Sequence, residues 1–135
     1  MSKANVKNLD YLAAKHAQGL IGELGENAET PVTKALGVLQ ENGVYACFLY
    51  LYAREKDGGK IAGKMVDLLN EALLKGEEIR SENSKEILEN VADKITGKGI
   101  ERLLLARELL EQMLIYARYG AKAAAGNEQK KNQSS

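Results

Sequence analysis

The chain has no tryptophan and only one phenylalanine, one proline, one cysteine and one histidine among 135 residues. A lone cysteine, Cys47, forms no internal disulfide and points to a reducing compartment. Cys47 and His16, without an HxxxH or CxxC spacing, do not make a zinc site. Nucleophilic catalysis needs a thiol beside a base. Cys47 stands inside the most apolar segment, where thiols stay protonated and act as small hydrophobes, and His16 reads as a boundary residue of a helix. Excess charge of either sign is also missing: 19 basic and 19 acidic side chains cancel. That balance argues against wrapping naked nucleic acid or anionic lipid unaided, while leaving room for a local basic face. The longest apolar run has ten residues, Val44–Ala53. As a helix it spans ~15 Å, about half a bilayer's hydrocarbon thickness, so no membrane partner is expected. Met1–Asn5 lacks the apolar core of a secretory signal, and these readings place the protein in the cytoplasm.

Phosphate loops and metal pairs are missing too. Gly59-Lys-Ile-Ala-Gly63-Lys64-Met65 is too short for GxxxxGK[ST] and puts methionine where a magnesium-binding hydroxyl belongs. Thr96-Gly-Lys-Gly99 follows no strand. A di-iron bundle would carry inward-facing ExxH motifs, and none occur. No catalytic set, cofactor or metal is expected, and the chain reads as a non-enzyme.

Helix start and stop signals fill the space. Asn8 and Asp10 can cap a first helix to about Leu24, with Leu9, Ala13, Ala17, Leu20 and Leu24 on one face. Thr30-Pro31 reads as an N-cap followed by proline at the first helical position, and that helix runs to Asn42-Gly43. Val44–Ala53 is ambiguous between strand and helix by composition. No second apolar strand exists to satisfy its backbone, so it reads as a central helix, with Tyr45, Phe48, Leu49 and Tyr52 forming one face. A fourth helix follows from about Gly59 to Lys75, stopped by Gly76, and then an acidic loop, Glu77–Asn83. Asn83-Ser-Lys-Glu86 resembles a capping box for a short helix to Lys94. After the break at Thr96–Gly99 comes the longest helix, about Ile100 to Ala124. The expectation is an all-α bundle of about six helices in one domain, residues 1–125, with a disordered polar tail at 126–135.

Two features of the surface carry a functional reading. Tyr116 and Tyr119 lie among Arg118 and Lys122, a mix suited to base stacking or a protein contact. Basic residues gather at Arg54, Lys56, Lys60 and Lys64 and recur at Arg102, Arg107, Arg118 and Lys122, whereas Glu77–Lys94 is acidic. A molecule with one basic and one acidic end follows, able to stack head to tail on its own copies.

Three stretches resemble a known family: Tyr11-Leu-Ala-Ala-Lys-His-Ala, the segment Val38–Leu49 with its Asn42-Gly43 and Phe48-Leu49, and the closing Leu104–Ala123 with Tyr116 and Arg118. Their order is similar to that of the small α-helical subunit of the type III-B CRISPR–Cas RNA-targeting effector, the Cmr complex. Pro31 lies earlier than the family's proline, and Tyr116 stands in for its tryptophan, so the related type III-A small subunit stays open as an alternative. The resemblance implies a non-catalytic subunit in antiviral defence. It would stack with copies of itself, contact other effector subunits, and meet guide RNA and target RNA through basic side chains, with Arg54 and Arg118 at the matching positions; the charge pattern adds Lys56, Lys60, Lys64, Arg107 and Lys122 as expected RNA contacts. A different reading of the same residues is a generic helical adaptor with a partner groove at Tyr116 and Tyr119.

Overall fold

The computed structural model describes the backbone of residues 3–134 and the side chains of residues 8–126. Among the described residues six α-helices make up the fold: α1 (Lys3–Leu24), α2 (Glu29–Asn42), α3 (Val44–Arg54), α4 (Gly58–Ala72), α5 (Ser84–Lys94) and α6 (Ile100–Ser134). No strand occurs among the described residues. The expected polar tail lies outside the residues with described side chains. No described helix is long and apolar enough to cross a membrane.

Helix boundaries follow local chemistry, with three corrections. α1 starts at Lys3 rather than at an Asn8–Asp10 cap, because nothing in Ala4–Lys7 interrupts a helix. α2 starts at Glu29, so Thr30 is not its cap; Ala28 holds that position without a side-chain bond. Pro31 therefore sits at the third helical position. It is tolerated there because the first four N–H groups of a helix have no intrahelical partner to lose. α4 ends at Ala72, with the amides of Leu73 and Leu74 both donating to the Leu69 carbonyl. The sharp corners before α3 and α6 need glycine: Gly43 has φ +96° and ψ −176°, and Gly99 has φ +103° and ψ 163°, a region open essentially to glycine alone.

The α5 cap is half of the expected box. Asn83 Oδ1 accepts from the Glu86 amide at 3.2 Å. Glu86 does not return the bond; its carboxylate accepts from Ser81 Oγ at 2.6 Å, and Ser81 Oγ takes the Asn83 amide at 3.1 Å. A serine two residues upstream has replaced the reciprocal arm.

The ambiguous decamer is a helix, but it is not buried on most sides. Its inward stripe is Val44, Cys47, Phe48 and Leu51, spaced i, i+3, i+4, i+7 as a helix face requires. Tyr45 and Leu49, expected on the same face as Phe48, are 38% and 42% exposed. A segment apolar all round gives no contrast from which to read its rotation. Phe48 and Leu51 instead join Leu20, Leu39, Met65 and Leu110 in one continuous core.

Helix directions can be read from cross-helix pairs. Lys64 reaches Glu23, and His16 reaches Glu71, so α4 runs antiparallel to α1. Arg107 meets Gln40 and Lys122 meets Glu29, so α6 runs antiparallel to α2. Cys47 Sγ donates to the Ala35 carbonyl at 3.4 Å across the α2–α3 pair. Burial pushes the Cys47 thiol up to about 12, so the reactive thiolate is scarce near neutral pH. A disulfide reagent should label the native protein slowly and label it stoichiometrically at once in denaturant. Fast labelling under native conditions would refute this burial.

The loop between α4 and α5 is tied down by Asn70. Its Nδ2 donates to the Ile79 carbonyl at 3.0 Å, and its Oδ1 accepts from the Ile79 amide at 2.7 Å. The side-chain amide thus satisfies both backbone groups of a buried residue that has no helix of its own. Asn70→Ala leaves both unpaired and should cost about 2–3 kcal/mol, read as a lower urea midpoint. Asn70→Asp keeps the acceptor but turns a carboxylate oxygen toward the Ile79 carbonyl, so it should recover little of the loss. An unchanged midpoint for Asn70→Ala would mean that the buried Leu74 and Ile79 side chains hold the loop by themselves.

Candidate nucleic-acid interface

Arg54, Lys56, Lys60 and Lys64 come together because α3 and α4 meet in a short turn. Arg54 is the last residue of α3, and Glu55 after it has extended backbone, which ends the helix. The Glu55 carbonyl accepts from the Gly58 amide at 3.1 Å, closing the turn over Lys56 and Asp57. The Asp57 carbonyl then takes the amides of Lys60 and Ile61, in the first turn of α4. Glu55 is held from the other side by Tyr50, whose hydroxyl donates to its carboxylate at 3.1 Å.

The four cations differ in freedom. Arg54 and Lys56 are exposed, and neither forms an ion pair among the described residues. Lys60 stands 3.9 Å from Asp57, a long and exposed pairing that contributes little. Lys64 is committed inward. It lies along α1, 3.5 Å from Glu23, over Gly19, where a Cβ would stand 3.3 Å from its Nζ.

Beside this corner runs a groove of about 640 Å³, walled by the first half of α4 and the segment Ile79–Glu82. Lys60 and Lys64 line it, and so does Arg80, which belongs in sequence to an acidic stretch. Arg80 pairs loosely with Glu78, at 3.7 Å, and its side chain is 81% exposed. Glu23, Asp67 and Glu82 line the same groove.

The other three expected contacts lie elsewhere. Arg107 Nη2 donates to the Gln40 carbonyl at 2.6 Å, filling one of the open acceptors at the end of α2. Lys122 pairs with Glu29 at 3.8 Å. Glu29 shares a hollow with Lys56, so Lys122 approaches the corner from the opposite side, already matched. Arg118 is partly buried on α6, with its Nε shielded and without an acceptor among the described groups. The seven residues thus form no continuous stripe.

A molecule with one basic and one acidic end does not result. Glu26, Glu29, Glu55 and Asp57 line the same hollow as Lys56, and Glu82 from the acidic stretch lines the same groove as Lys60 and Lys64. Arg102 takes up Glu77 at 3.2 Å and, by that hydrogen bond, holds its carboxyl below the usual range. Residues of opposite sign that are distant in sequence are interleaved in space.

The aromatic groove also changes. Tyr116 is half-buried and its hydroxyl donates to Asp10 Oδ1 at 2.5 Å, joining α6 to α1. The carboxylate that accepts this proton raises the Tyr116 pKa. Tyr119, three residues further along α6, is 63% exposed. His16 and Cys47 are likewise apart in their bonding. His16 Nε2 lies 2.9 Å from Glu71 Oε1, and this bond, with help from Lys15, keeps the Glu71 carboxyl below its ordinary range. Cys47 is bonded to Ala35. Among the described residues, no group of three or more His, Cys, Asp or Glu side chains is placed to hold a metal ion. The comparisons give the chain no relative: no protein family, no curated protein and no solved structure matches it.

Proposed function

We propose that this protein is the non-catalytic small subunit of a CRISPR–Cas type III effector ribonucleoprotein. It contacts guide and target RNA through the α3–α4 corner and assembles with other effector subunits and with copies of itself. The observation that supports this reading best is the pair of unspent cations at the corner. Arg54 and Lys56 are exposed and without ion pairs among the described residues, with Lys60 beside them and Arg80 across the groove. Such a cluster reads phosphates and the shape of an A-form duplex without reading sequence. Only a few phosphates are within its reach, which suits a subunit whose affinity is multiplied by its neighbours.

The test is binding to a guide–target RNA duplex over a range of salt. Charge reversal at Arg54→Glu with Lys56→Glu should weaken binding at least tenfold and flatten the salt slope by about two, one for each phosphate no longer neutralised. Arg107→Gln should leave binding nearly unchanged, because that guanidinium is committed to the Gln40 carbonyl. If the double reversal stays folded and binds as the parent does, the corner is not the RNA face. The generic adaptor predicts a defined protein partner and no salt-dependent RNA affinity.

A further inference from the structure

We draw no further inference here: the strongest candidate, the surface patch made by the exposed apolar side chains of Tyr45 and Leu49, one turn apart on α3, is an unpartnered face, and nothing in the structure shows what covers it.

Discussion

Phe48→Ala should remove about 3–5 kcal/mol of stability, the largest loss expected from any single truncation in this chain. Phe48 is the only phenylalanine in the sequence and is fully buried. It stands at the middle of the inward stripe of α3, between Val44, Cys47 and Leu51. Its removal costs the transfer energy of an aromatic ring and opens a cavity that the surrounding helices close only in part. Domains of this size hold ~5–15 kcal/mol in total, so a fifth or more of the margin goes. Leu49→Ala, one residue on, should cost under about 1 kcal/mol, because that side chain is 42% exposed and gives up little packing. Urea midpoints of the two variants together test the rotation of α3. Equal losses would mean that Phe48 and Leu49 share the buried face, as the sequence suggests, and would overturn the stripe seen in the structure.

That contrast marks where the sequence stops being informative. Breaks in the chain are legible because each is made by local chemistry. Asn42-Gly43 and Thr96–Gly99 fall where helices stop, Gly76 turns the loop four residues after α4 has already ended, and Asn83 caps α5 through its own side chain. The stripe of α1 is legible because Leu9, Ala13, Ala17, Leu20 and Leu24 recur at helical spacing while Lys15, His16, Gln18 and Glu23 fall off it; the last four of the stripe are buried and Leu9 partly so. α3 offers no such contrast, so the same reasoning finds the helix and misses its orientation. The candidate interface divides in the same way. Arg54, Lys56, Lys60 and Lys64 are close in sequence, and a short turn keeps them close in space. Which of them is free depends on residues far along the chain. Lys64 is matched by Glu23, and Lys122 by Glu29. The Tyr116–Asp10 bond spans 106 positions. Arg80 joins the groove only because Asn70 fastens Ile79 beside it. No periodicity encodes these pairings.

Gly58→Ala should cost about 3 kcal/mol, although alanine is ordinarily the better helix former. Gly58 is the first residue of α4, and a Cβ built there falls onto the carbonyl oxygen and carbon of Leu51 in α3, far inside contact distance. Both sides of that clash are backbone, so no rotamer relieves it. The α3–α4 turn has to open, and the bond from the Gly58 amide to the Glu55 carbonyl opens with it. The next two glycines of α4 should behave in the opposite way. A Cβ at Gly59 or Gly63 meets nothing within 4 Å, so alanine there should be neutral or stabilising by up to about 1 kcal/mol, through helix propensity and a less flexible unfolded chain. The consequence for function follows from position. Arg54 and Lys56 are presented by this turn, so Gly58→Ala should weaken RNA binding even under conditions where the variant remains folded, while Gly59→Ala should not. Urea titration and duplex binding on the same samples separate the two effects. A Gly58→Ala protein with the parent's midpoint would show that α3 and α4 do not approach as closely as the structure places them. One that was less stable but kept full RNA affinity would detach the cations' action from the geometry of the turn, and with it the proposed site.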